Sequence, residues 1–405
     1  MAREFKSLCR SVAGRESERE RDTEKEMVED GGRVDMEWCI AQPKIELHAH
    51  LNGSIRDSTL LELAKDSREK GALAFSDVEH VIKKCTRSVM ECFKLFDVIR
   101  TITTDHAALS RITKEVIEDF AADNVVYLEL RTTPKKNEQI GMTKCSYMEA
   151  VLDGMRAIET VEVSFLPSCG SKEKLEQFPN TNVAINGEKR RKLYVRLLLS
   201  IDRCESAASA METVQLAYKM RHLGVVGVDL SGNPLVGEWL TFLPALKWAK
   251  EYGLAITLHC GEVYNPNEIK AMLEFCPQRV GHACWFEQED WTKLKSLNIP
   301  VEVCLSSNVQ TCRVSSIRDH HFDYLYRNNL PLVLCTDDSG VFSTNLSREY
   351  YLAASTFGLN KAQMFELSRN AIKHVFADES VKILLNSIFD SAQRELAIAV
   401  GSGNS

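Results

Sequence analysis

The sequence predicts an α/β protein, a closed eight-stranded (β/α)8 TIM barrel with extra helices. Three observations carry this. Eight short runs rich in Val, Ile and Leu recur along the chain; with little polar alternation, they read as strands buried on both faces of a parallel sheet. Helix-period amphipathic stretches fill the gaps between them. Every run finishes in polar residues, as when a barrel gathers chemical groups at the C-terminal ends of its strands. An open doubly wound sheet is the competing architecture.

In order, run 45–51 finishes His48-Ala49-His50-Leu51-Asn52. Run 125–130 follows the helical stretch SRITKEVIEDFAADN and finishes Glu129-Leu130-Arg131-Thr132-Thr133-Pro134-Lys135. Run 193–201 leads into Asp202-Arg203. Run 225–230 follows SAMETVQLAYKMRHLG, whose Gly224 reads as a helix stop, and ends Asp229-Leu230-Ser231-Gly232. Run 255–258 leads into His259-Cys260-Gly261-Glu262, and run 279–283 contains Gly281-His282. Run 300–305 finishes at Ser306-Ser307-Asn308, and run 331–335 at Thr336-Asp337-Asp338.

Outside this pattern, residues 1–35 are nearly all charge and glycine near their end and read as a disordered tail. An organelle transit peptide would be poorer in acid. Met36 opens a single catalytic domain, 36–395, followed by a flexible C-terminus, 396–405. The polar stretch 168–191 reads as a long surface loop.

Hydrophobic residues are 44% and charged residues 26%, an ordinary globular balance. The net charge of -7 argues against a broad phosphate-backbone-binding face, so no nucleic-acid partner is expected. Thirteen cysteines, an odd number with no Cys-x-x-Cys pair, read as reduced, buried hydrophobes. That points to the cytosol. No apolar run approaches the ~20 residues of a membrane helix, so no membrane partner is expected. A monomer is expected.

Four of the ten histidines, His48, His50, His259 and His282, fall at the run ends. An isolated His is more often structural. Residues two apart on a strand, however, face the same side, so His48 and His50 can both point to the barrel axis. With His259 and Asp337 they form an N/O donor set suited to one zinc ion per chain.

These residues resemble the adenosine and AMP deaminase family. The likeness covers most of 40–390 and rests on KIELHAHLNGS (44–54), DLSGNP (229–234), LHCGE (258–262), RVGHAC (279–284) and CTDDSGVFST (335–344), in that order. It implies the barrel fold of metal-dependent hydrolases. Within the family, HAHLNGS is similar to the branch that deaminates N(6)-methyl-AMP, its plant members above all.

Carried over by position, the resemblance makes His48, His50, His259 and Asp337 zinc ligands, with His50 also touching substrate. Glu262 would be the proton donor to the purine, and His282 would orient and deprotonate the attacking water. Asp338 would hydrogen-bond the purine, and Gly232 would let its backbone approach a ring nitrogen. Asn52, Thr132, Thr133, Pro134, Lys135 and Asp202 would take sugar and phosphate. Arg100 departs from the pattern, standing where members of the branch carry His. The implied reaction is zinc-dependent hydrolysis at purine carbon 6, giving IMP and methylamine from N(6)-methyl-AMP, a purine nucleoside monophosphate. The other zinc nucleobase deaminases use His-x-Glu with Pro-Cys-x-x-Cys, and that signature is absent. Adenosine or AMP deamination, another metallohydrolase activity, and a catalytically silent binding barrel are the competing readings.

Overall fold

The computed structural model describes residues 32–69, 76–84, 87–103, 105–164 and 191–396. Most of the expected tail, nearly all of the expected loop 168–191 and residues 397–405 lie outside these. Packing begins before the expected boundary at Met36. Val34 is already buried, and the Asp35 carboxylate accepts from Trp38 N–H to cap the helix Met36–Ala41.

Nine strands are described: β1 (Lys44–His50), β2 (Val125–Thr132), β3 (Val161–Ser164), β4 (Arg191–Asp202), β5 (Val225–Ser231), β6 (Ala255–Cys260), β7 (Arg279–His282), β8 (Val301–Val303) and β9 (Leu332–Leu334). Eight run in parallel in the order β1-β2-β4-β5-β6-β7-β8-β9. The end of β9 returns to β1. His50 N–H donates to Asp337 C=O at 3.0 Å, and Asp337 N–H donates to His48 C=O at 2.8 Å. The sheet is thus a nearly closed parallel barrel, as the run pattern predicts. The short β3 pairs with Arg191–Tyr194 at the start of β4, before β5 takes up pairing from Leu197 onward. Its four residues are too short a run to register in the sequence.

Helices cover the barrel for the reasons their sequences give. In His106–Ala122, Leu109, Ile112, Val116, Ile117 and Phe120 fall on one buried stripe, and Asp105 caps the start. In Ala207–Lys219 the cap is Ser206. The chain makes one further 3₁₀ turn and stops at Gly224, whose φ of 91° suits glycine.

Two run ends differ from expectation. β7 stops at His282 because His282 (φ 67°) and Ala283 (φ 56°) leave the extended region. The seventh run is strand only over Val301–Val303, and Leu305–Gln310 is a helix. Ser306, Ser307 and Asn308 are therefore helical and not a strand end. Tertiary contact overrides their weak helix propensity: Ser306 N–H donates to the buried Glu349 carboxylate at 3.0 Å.

The barrel interior holds more charge than the apolar runs suggest. Glu129, Arg131, Asp229, Arg279 and Glu302 are fully buried. Glu302 is bonded to Arg131 Nη2 (2.9 Å), Arg279 Nε (2.6 Å), Thr257 Oγ1 (2.8 Å) and His48 Nδ1 (2.6 Å). Buried ions persist only when paired and hydrogen-bonded in this way.

Candidate metal and catalytic site

The parallel strands bring four donors together where β1, β6 and β9 end. His50 Nε2 lies 3.1 Å from His259 Nε2. Asp337 Oδ1 lies 3.3 Å from both His48 Nε2 and His50 Nε2. Ligand atoms of His48, His50, His259 and Asp337 all fall within 4.8 Å of one another. This is the set singled out in the sequence.

The orientation of these rings has a cause. His48 Nδ1 sits 2.6 Å from Glu302 Oε2, and His259 Nδ1 sits 3.0 Å from Asp229 Oδ1. A carboxylate accepts, so each Nδ1 carries the proton and each Nε2 turns a lone pair inward. Ser307 Oγ donates to Asp337 Oδ2 at 2.6 Å and leaves Oδ1 facing the imidazoles. The Nε2 lone pairs of His48 and His259 then converge with a carboxylate oxygen and His50 Nε2. His48 Nε2 is buried with no hydrogen-bond partner. Such a cluster of acceptors repels itself unless a cation sits among them. Three imidazoles and one carboxylate are borderline donors of the kind zinc takes, so the residues fit that ion.

Glu262 and His282 stand beside this cluster. Glu262 Oε1 lies 3.9 Å from His282 Nε2. Burial raises the Glu262 carboxyl above the ordinary range, more than the neighbouring His259 lowers it. His282 packs edge-on to His48, ring centroids 4.9 Å apart. Burial would also raise Asp337, but the imidazoles of His48, His282 and His50 around it hold its carboxyl well below the usual range. Burial and the charge of Asp337 push the Asp338 carboxyl well above the usual range. That carboxyl lies over Gly53, where a Cβ would fall 1.5 Å from Oδ1, so glycine alone fits there.

The residues expected to hold sugar and phosphate lie on neighbouring strand ends. Tyr147, fully buried, joins two of them. Its hydroxyl is 2.8 Å from Thr132 Oγ1 and 3.4 Å from Asn52 Oδ1. Asp202 Oδ1 accepts from Cys204 N–H at 2.9 Å, and a Cβ on Gly232 (φ 102°) would fall 2.5 Å from that oxygen. Burial lowers the Lys135 ammonium below its ordinary pKa; the Arg100 charge adds to this and Asp202 opposes it. Lys135, Arg100 and Asp202 therefore share one electrostatic neighbourhood. Arg100 is exposed, in the last turn of the helix Val89–Ile102, 3.9 Å from Asp97 Oδ1. Thr133 is half-buried and Pro134 buried just past β2.

Sequence reasoning missed Glu302, Tyr147 and His320, and it placed Asp229, Ser307 and Asn308 at run ends without giving them a role. A usable signal existed for Glu302 and Asp229. A carboxylate inside an otherwise apolar parallel strand must have a buried partner, and Asp229 and Glu302 are such positions.

Residues 43–392 match the family model described as adenosine deaminase. The N6-mAMP deaminase of Arabidopsis thaliana is 61% identical over 360 residues, covering 89% of this chain and 99% of that protein. Its apo structure superposes with a TM-score of 0.82 at 60% identity, covering 89% of this chain and 100% of that one. The crystal structure of arabidopsis ADAL complexed with IMP gives a TM-score of 0.81 at 60% identity, covering 89% and 99%.

Proposed function

This chain belongs to the adenosine deaminase family, and on that premise we propose that it hydrolyses N(6)-methyl-AMP to IMP and methylamine. The observation that carries the reading is the convergence of His48, His50, His259 and Asp337 with Glu262 and His282 beside them. His48, His50, His259 and Asp337 would hold one zinc ion. Zinc, when bound, supplies the Lewis acidity that brings water deprotonation to about pH 7.

The chain's own groups account for the rest. Attack of water at purine carbon 6 ends the aromaticity of the ring, so nitrogen 1 needs a proton as the bond forms. Glu262, its carboxyl raised by burial, holds that proton and delivers it. His282 orients the attacking water. Asp338, its carboxyl pushed up by burial and by Asp337, hydrogen-bonds the purine. Gly232, without a side chain, lets its backbone approach the ring. The proton of the new carbon-6 hydroxyl passes to the amine nitrogen, the carbon–nitrogen bond breaks, and methylamine leaves the 6-oxo product.

The nucleotide end falls to Asn52, Thr132, Thr133, Pro134, Lys135, Arg100 and Asp202. Hydroxyls and cations together are the groups that hold a phosphate. The solved arabidopsis relative carries IMP, a nucleoside monophosphate of this kind. We also take the enzyme to be a cytosolic monomer. Among the described residues no helix is long and apolar enough to cross a membrane. The test is product analysis. Purified enzyme with N(6)-methyl-AMP should yield IMP and methylamine in equal amounts. Absence of IMP, with zinc present, would contradict the reading.

A further inference from the structure

One chain of buried hydrogen bonds, outside the four proposed ligands, determines where His282 carries its proton. Phe322 N–H lies 3.0 Å from His320 Nδ1. A backbone amide only donates, so this Nδ1 accepts and bears no proton. The neutral His320 ring therefore holds its proton on Nε2, and that N–H donates to Asn308 Oδ1 at 3.0 Å. Burial pushes the His320 pKa well down, keeping the ring neutral. His321 stacks on it with ring centroids 4.1 Å apart.

This anchor resolves the amide orientation of Asn308, which heavy-atom positions leave open. Its oxygen faces His320 and its NH₂ faces His282. The NH₂ only donates, and it lies 3.0 Å from His282 Nδ1. His282 Nδ1 therefore accepts, and the neutral ring carries its proton on Nε2. That Nε2 is buried, without a protein hydrogen-bond partner, and 3.9 Å from Glu262 Oε1.

We infer that Asn308 and His320 are positioning residues that lock His282 in the Nε2–H tautomer, so that His282 meets the attacking water as a hydrogen-bond donor and not as the acceptor of its proton. This rests on the deaminase reading above and reverses one part of the sequence expectation, in which His282 deprotonates the water. The opposite tautomer would require Asn308 to turn its oxygen to His282. His320 would then accept at both ring nitrogens, an imidazolate, which a buried neutral histidine does not form near pH 7. The water's proton has another destination. Once Glu262 has given its proton to purine nitrogen 1, its carboxylate is free to take the proton released as the water O–H bond breaks. One proton enters the ring, one leaves the water, and Glu262 is restored.

The test is the nitrogen NMR spectrum of the histidine rings in zinc-loaded enzyme labelled with ¹⁵N-histidine, His282 being assigned from the spectrum of His282→Gln. The expected pattern is a protonated-type Nε2 and an unprotonated-type Nδ1. Asn308→Asp offers only acceptors, so His282 should switch to Nδ1–H, with turnover reduced about 100-fold and KM little changed. His320→Phe frees Asn308 to turn and should give a mixture of both tautomers, which keeps the test open if Asn308→Asp does not fold. A wild-type His282 protonated on Nδ1 overturns the inference. So does either variant with an unchanged, single Nε2–H tautomer. The spectra need no substrate, so an error in the substrate assignment leaves them untouched.

Discussion

His48 Nδ1 lies 2.6 Å from Glu302 Oε2, although 254 residues separate them in the chain. One oxygen of that carboxylate also binds Arg131 and the other Arg279 and Thr257. A proposed metal ligand is therefore aimed by the same group that neutralises two buried arginines.

Glu302→Gln is expected to act on both. Leaving Arg131 and Arg279 short of a counter-charge should cost about 3 kcal/mol of stability, read by urea denaturation of the zinc-free protein. Losing the acceptor for His48 should also weaken zinc 10–100-fold, read by chelator competition. Unchanged zinc affinity in a folded variant would refute the orienting role.

How legible was this site beforehand? His48 and His50 show themselves because a strand repeats every two residues. Asp337 shows itself in a polar tail at a run end. Glu302 and Asp229 do not, because a lone acid in an apolar strand does not say which partner it meets. Their partners, His48, Arg131 and Arg279 for Glu302 and His259 for Asp229, come together only when the barrel closes. The eight barrel strands were legible because their runs are buried on both faces. Ser306–Asn308 was not, because the contact from Glu349 makes a helix of residues that seldom form one alone.

Asp337→Ala should abolish zinc retention. It removes the one carboxylate among four converging donors and frees Ser307, its hydrogen-bond partner. Elemental analysis of the purified variant checks this. One equivalent of zinc still bound would show that Asp337 is not a ligand.

Glu262→Gln should keep zinc and substrate binding and lose at least ~100-fold in kcat, because the amide has no acidic proton to transfer to nitrogen 1. The shape is nearly conserved, so KM should change little. Stopped-flow turnover alongside zinc analysis measures both. Near-wild-type kcat would remove Glu262 from the proton transfer.

Lys135→Ala should slow N(6)-methyl-AMP deamination while leaving the low rate on N(6)-methyladenosine almost unchanged. Lys135 shares its electrostatic surroundings with Arg100 and Asp202, apart from the four metal donors. Equal losses on nucleotide and nucleoside would make Lys135 structural.

The proposal that this enzyme works on a nucleoside 5′-monophosphate is tested most directly by kcat/KM for N(6)-methyl-AMP against N(6)-methyladenosine in the wild-type protein. Phosphate binding far from carbon 6 is used to hold the purine for attack, so its loss should lower kcat as well as affinity. The expected result is a preference for the nucleotide of at least ~100-fold, part of it in kcat. Equal values for the two would contradict the account and make the chain an ordinary nucleoside deaminase.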